Sequence, residues 1–146
     1  MIEDCAAAGA RGVIIQSAGF AEVGPEGQAL QEKVLATAGT HGIRLWGPNC
    51  IGLVDVAGRQ VFSFVSPDII GQGMVPGRVS MIVQSGMLSG GFLLDMMSGD
   101  SMGFARVCSI GNKMDVNECD ILEYLIDDPD TGVIGCYLET LVDGRR

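Results

Sequence analysis

Apolar residues fall along this chain in short blocks whose period switches back and forth. Residues 2–9, IEDCAAAG, are Ala-rich and predict the end of a helix closed by Gly9 or Gly12. Residues 13–16 form a short apolar run that predicts a buried strand entering a Ser-Ala-Gly corner. Leu30, Val34, Leu35 and Ala38 then recur at helical spacing and predict a helix that ends at Gly39 or Gly42. IRLWGPNC predicts a second strand with a Gly-Pro turn. The same alternation returns later in the chain. Strands are predicted at 78–83, 104–109 and 133–138, helices at 87–98 and 117–127, and a turn at DDPDTG. Strand–helix–strand in runs this short predicts an α/β fold with parallel sheets and flanking helices.

Residues 52–77 break the rhythm. They carry Pro67, Pro76, Gly58, Gly71, Gly73 and Gly77 with no helical period, which predicts an irregular linker with a short extended piece near 61–65. The pattern leaves two strands in a first lobe and three in a second. Two parallel strands alone bury too little surface to stand. The expectation is therefore of incomplete sheets, finished by further chain or by association into a homo-oligomer.

Composition narrows the partners. The 146 residues are 47% hydrophobic and 18% charged, a globular balance. A net charge of −9 argues against nucleic acid or an anionic membrane surface. The five cysteines, Cys5, Cys50, Cys108, Cys119 and Cys136, are odd in number and scattered, with no CxxC pair. They predict free thiols in a reducing, cytoplasmic setting, with no metal site. No apolar run reaches ~18 residues, and no basic segment precedes an apolar core at the N-terminus.

The glycine corners carry the candidate chemistry. VSMIVQSGM places Gln84, Ser85 and Gly86 between a buried strand and a helix. The first turn of a helix presents backbone amides and the positive end of the dipole, so this corner reads either as an anion seat or as a plain N-cap. SIGNKMD repeats the arrangement one strand later, with Gly111 and Asn112 able to form an amide nest or an ordinary turn. SAGFAEVGPEG and WGPNC are two more loops that follow strands, and each also reads as a connecting turn. Glu139 ends a short strand, where a solvated carboxylate is equally at home. Lys113 could meet a phosphate or face water. His41, the single histidine, sits at a helix C-terminus and reads as structural. Met87, Met96, Met97 and Met102 read as packing residues.

Taken in order, SAGFAEVGPEG, RLWGPNCIGL, VSMIVQSGM, SIGNKMDV and YLETLVDGR resemble the NDP-forming acyl-CoA synthetases, relatives of the succinyl-CoA synthetase α subunit. The resemblance implies that residues 1–55 form the C-terminal part of a CoA-binding Rossmann-like domain. It makes 56–77 a linker and 78–146 the N-terminal part of a flavodoxin-like ligase domain. Enzymes of this family form an acyl phosphate, pass the phosphoryl group to a mobile histidine and couple thioester formation to ATP or GTP. The resemblance assigns Ser17, Gly19, Phe20, Glu22, Gly47, Pro48 and Asn49 to the CoA face. It assigns Gln84, Ser85, Gly86, Gly111 and Asn112 to the phosphate, and makes Glu139 the carboxylate that orients the catalytic histidine. The phosphorylated histidine, the nucleotide-grasp domain and the Gly-rich start of the CoA domain have no counterpart here. This chain is therefore expected to work only with missing ligase domains as partners. The alternative is a non-catalytic binding or assembly protein, or the regulatory domain of a protein acyltransferase with the same fold.

Overall fold

The computed structural model describes residues 1–64, 75–86, 88, 90–91 and 102–146. A short helix α1 (Ile2–Ala7) leads into strand β1 (Gly12–Ile14), a 3-10 turn (Ala21–Val23) and the long helix α2 (Pro25–Thr40). Pro25 sits at the start of α2, where its missing N–H costs nothing, and His41 closes the helix at an exposed C-cap. Strand β2 (Arg44–Trp46) runs parallel to β1, with Val13 opposite Leu45. Ile2, Ile15, Phe20, Ala38, Ile43 and Leu45 form the core of this lobe.

The second sheet holds five strands in the order β4-β3-β6-β5-β7 among the described residues. These are β3 (Gly52–Asp55), β4 (Gln60–Ser63), β5 (Pro76–Val83), β6 (Phe104–Ser109) and β7 (Val133–Tyr137), with helix α3 (Glu118–Ile126) between the last two. β5 pairs in parallel with both β6 and β7. All six residues of β6 are buried, as a central strand covered on both faces should be. One face packs Ile82, Cys108 and Ile110 against Ile121 and Leu125 of α3; the other gathers Val56, Phe104 and Val107. Asn117 caps α3: its Oδ1 accepts from the amides of Cys119 and Asp120, and Asp120 returns a bond to the Asn117 amide.

Two expectations are corrected. Residues 52–77, expected as an irregular linker with a short extended piece near 61–65, hold both β3 and β4; β4 falls on the expected extended piece, and the two form an antiparallel hairpin bonded to the outer edge of β6. The alternation Gly-Leu-Val-Asp and Gln-Val-Phe-Ser is too short to stand out between glycines, and only its neighbour β6 makes it a strand. Among the described residues the second lobe therefore has five strands in a mixed sheet. Residues 65–74, and the predicted helix beyond Gly91, lie outside the described residues; Gly86, Leu88, Gly90 and Gly91 are helical.

The two-stranded sheet is also less isolated than its strand count suggests. Residues 114–116, just after β6, run beside β2 as an added edge. The Val116 amide bonds the Leu45 carbonyl at 3.0 Å, the Met114 amide bonds the Gly47 carbonyl at 3.0 Å, and the Asp115 carboxylate accepts from the Leu45 amide at 2.7 Å. Met114 itself is buried in the first lobe's core.

Candidate functional site

The loops that follow β1, β2, β5 and β6 collect at the carboxyl ends of the strands, where open α/β sheets hold ligands. Those after β1, β2 and β6 touch through Asn112. Its amide bonds the Pro48 carbonyl at 2.9 Å, and its Nδ2 donates to the carboxylate of Glu22 and, at 3.3 Å, to Gln31. Its Oδ1 accepts from Asn49 Nδ2 at 3.3 Å. Asn49 in turn bonds the Ser17 carbonyl through its amide. Gly111 has φ 56°, and a side chain there would run into the Pro48 and Asn49 carbonyls. The 47–49 and 111–112 loops are thus packed backbone to backbone.

This packing redistributes the predicted roles. Ser17, Gly19, Glu22 and Asn49 are exposed, whereas Phe20, Gly47, Pro48 and Gly111 are buried. Phe20 is a core residue of the first lobe. Glu22 Oε1 accepts from the amides of Gly19 and Phe20, so its carboxylate occupies donors that an outside anion would need. Burial opposes the charge of Glu22, but bonds from Asn112, Gly19 and Phe20 outweigh it and bring its pKa down to about 2. Asn112 spends its amide on Pro48, so 111–112 joins loops and does not present that amide as part of a nest.

The β5 corner has a different environment. Ser85 Oγ accepts from the Leu88 amide at 3.4 Å, in the manner of an N-cap. Gln84 Oε1 accepts from the amides of Glu139 and Thr140 at 2.9 and 3.0 Å, and its Nε2 donates to Thr140 Oγ1 at 3.0 Å. The Gln84 side chain therefore fixes the turn after β7 that carries the exposed Glu139. Gly86 lines a cleft of about 220 Å³ together with Gln16, Asn49, Cys50, Ile51 and Phe64. That cleft brings two of the predicted residues, Asn49 and Gly86, to a common wall.

The turn that holds Glu139 has a second anchor, a pair of which the sequence singled out only Lys113. Lys113 and Glu118 form an ion pair at 3.0 Å with both side chains only 2% exposed. Lys113 Nζ also donates to the Thr140 carbonyl at 2.7 Å, and Glu118 Oε1 accepts from the Val142 amide at 2.7 Å. Lys113 thus neither faces water nor is left for a phosphate. The signal was a lysine four residues beyond a central strand with a glutamate five residues on, which only the tertiary fold brings into register. All five cysteines are free thiols. Burial pushes the Cys50 thiol up to about 11 and the Cys108 thiol up to about 12. Met102 is partly exposed and does not fill a core; Met87, Met96 and Met97 lie outside the described residues. Among the described residues no helix is long and apolar enough to cross a membrane, and no group of three His, Cys, Asp or Glu is placed to hold a metal.

Comparison with known proteins agrees with this geometry. The family described as "Succinyl-CoA ligase like flavodoxin domain" matches residues 76–146. An ADP-forming acetate–CoA ligase II of Archaeoglobus fulgidus is 34% identical over 99% of this chain and 21% of its own length. The α subunit of the ADP-forming acetate–CoA ligase I of Pyrococcus furiosus is 36% identical over 100% of this chain and 30% of its own length. The dinucleotide-forming acetyl-coenzyme A synthetase 1 of Ca. Korarchaeum cryptofilum was solved in complex with phosphate and ADP. It superposes with a TM-score of 0.87 at 34% identity over 99% of this chain and 29% of that one. The chain spans less than a third of each of these proteins. Residues 76–146 thus match the succinyl-CoA ligase-like flavodoxin domain family, and the chain as a whole is similar, end to end, to a segment of ADP-forming acetate–CoA ligases of the NDP-forming acyl-CoA synthetase kind.

Proposed function

We infer that this chain supplies part of an NDP-forming acyl-CoA synthetase: the surface on which CoA and a phosphoryl group carried by a histidine from elsewhere in the enzyme are brought together. The observation that carries this reading is the cleft in which Gly86, at the start of a helix, and Asn49, on the loop after β2, share a wall. A helix N-terminus favours phosphoryl oxygens. The neighbouring loop 49–51 would meet the thiol-bearing partner. Glu139 is exposed beside this corner on a turn pinned by Gln84, a posture suited to orienting an incoming imidazole.

In this reading the chain holds and orients; it has no nucleophile for the relay, because His41 caps α2 in the first lobe. It works with the remaining ligase and nucleotide-grasp domains, in the cytoplasm, where its free thiols persist. The outer edges of its sheets favour self-association of the isolated chain, which size-exclusion chromatography reads directly.

Calorimetric titration with inorganic phosphate and, separately, with CoA tests the seat. Among the described residues a Cβ at Gly86 would meet only Ile51, at 3.7 and 4.0 Å, so Gly86→Val changes the cleft without striking described backbone. Phosphate binding weakened at least tenfold in Gly86→Val supports the reading; equal affinity refutes the seat. Incubation of the isolated chain with acetate, CoA and ATP should yield no thioester, and turnover would overturn the partial role.

A further inference from the structure

The cleft at Gly86 has an apolar side that the phosphoryl reading leaves unused. The described residues that line its space of about 220 Å³ are Gln16, Asn49, Cys50, Ile51, Phe64 and Gly86, none with a charged side chain. The polar pair among them is spent on the protein itself. Gln16 Nε2 donates to the carbonyls of Ile51 and Phe62 at 3.5 and 3.4 Å, and Asn49 Nδ2 donates to Asn112 Oδ1 at 3.3 Å. Burial pushes the Cys50 thiol up to about 11, so it too is neutral at ordinary pH.

Ile51 and Phe64 make the apolar side, and the fold fixes both. The Ile51 amide bonds Ser109 Oγ at 3.0 Å and its carbonyl takes Gln16. Its side chain lies on the start of the helix after β5, where a Cβ at Gly90 would come within 3.1 Å of Ile51 Cδ1. Phe64 follows β4, whose last residue, Ser63, pairs with Gly52 just beyond Ile51. A Cβ at Gly52 would strike the Phe62 carbonyl, so the hairpin is closely packed at this end. Phe64 itself is 65% exposed, an aromatic ring with most of its surface still to be covered.

We propose that Ile51 and Phe64 form the acyl wall of this cleft and that Phe64 sets the size of the acid accepted, admitting short uncharged aliphatic groups and refusing aryl groups. The inference rests on the reading of Gly86 as the phosphoryl seat, because an acyl phosphate held there lays its acyl group in the same cleft. An apolar cavity of about 150 Å³ is filled by benzene. A cleft of about 220 Å³ that also holds a phosphoryl group therefore has no room for a ring, whereas a few aliphatic carbons fit. A second carboxylate on the acid would find no cation on the lining to replace its water.

Sodium salts of acetate, isobutyrate, succinate and phenylacetate, titrated at constant ionic strength and followed by backbone and side-chain NMR shifts, test the wall. Isobutyrate should bind about tenfold tighter than acetate, because its two added carbons meet Ile51 and Phe64. Its shifts should centre on Ile51, Phe64 and the Gln16 side chain. Succinate should bind no better than acetate, and phenylacetate should not saturate. Phe64→Ala, at an exposed position, should remove most of the preference for isobutyrate and open the cleft to phenylacetate. Equal affinity for isobutyrate and acetate, shifts centred elsewhere, or phenylacetate still refused by Phe64→Ala would each overturn the proposal. The comparison of acids in the unaltered protein decides the matter even if the variant does not fold. Inorganic phosphate, titrated alongside, separates the two readings. Phosphate shifts at Gly86 with no preference among the acids sink the acyl wall alone; no response to phosphate removes the seat, and the isobutyrate preference still decides the wall.

Discussion

Replacing Lys113 by Met probes the anchor beneath Glu139. The substitution keeps the length of the side chain and removes its ammonium. Glu118, 2% exposed, would then lose its counter-ion at 3.0 Å, and the Thr140 carbonyl would lose a donor at 2.7 Å. Breaking a buried pair by removing one partner costs about 3–5 kcal/mol, because the surviving charge stays desolvated. At about 2–4 °C per kcal/mol for a chain near this size, the midpoint of thermal unfolding should fall by roughly 10 °C. Urea unfolding followed by Trp46 fluorescence measures the change. The companion Glu118→Gln in the Lys113→Met background removes the stranded charge, so the double variant should recover about 2 kcal/mol relative to additivity. Hydrogen exchange should quicken at Thr140 and Val142 in Lys113→Met, since both are tied to the pair. Burial raises the pKa of Glu118, but the Val142 amide and Lys113 outweigh it and the value is lowered. Its contribution is therefore present above the ordinary carboxylate pKa and lost as pH falls towards the folded value. A loss under about 1 kcal/mol in Lys113→Met, or strict additivity in the double variant, would refute the view that this pair holds the turn.

Three further outcomes follow from the loops and thiols. Glu22 has a folded pKa of about 2 against a usual 4.5, so its stabilising bonds are complete above pH 4.5 and vanish as pH drops towards 2. Because the side chain is exposed, the loss should be discounted to about 1 kcal/mol, seen in acid titration of stability and absent in Glu22→Gln. Gly111→Ala forces a left-handed backbone on a residue with a Cβ aimed at two carbonyls, and should cost about 2–3 kcal/mol by urea unfolding. With a disulfide thiol reagent at pH 8, exposed Cys136 should react in the native state, whereas Cys50 and Cys108 should react only after unfolding.

The α/β character was legible because its signals are local. Helical spacing of Leu30, Val34 and Ala38 gave α2, and the apolar run at β6 gave the central strand. An extended piece near β4 was expected, but β3 and the hairpin the two form were hidden, because four-residue strands between glycines carry no period of their own; β6 supplies it by pairing. The site was legible as a set of corners, since a strand, small residues and a helix follow one another in sequence. The use of each residue was not. Gln84 turned to Thr140, Phe20 went into a core and Asn112 became a tie between loops, because each of those partners is supplied by a distant part of the chain. Lys113 was noticed only as a lone cation, and its pairing with Glu118 was not, for the same reason: a lysine and a glutamate five residues apart are ordinary until both are enclosed.

Residues 114–116 give the molecule a property that its two-domain appearance conceals. The lobe that begins the chain borrows a border strand, and Met114 for its interior, from residues that follow the centre of the other sheet. A truncation at residue 75 would therefore leave a torso unable to close over its own oily side, and the pieces should melt together in one transition rather than two. Anyone dividing this protein for expression would do better to cut around the interleaved segment than at the boundary the motifs suggest.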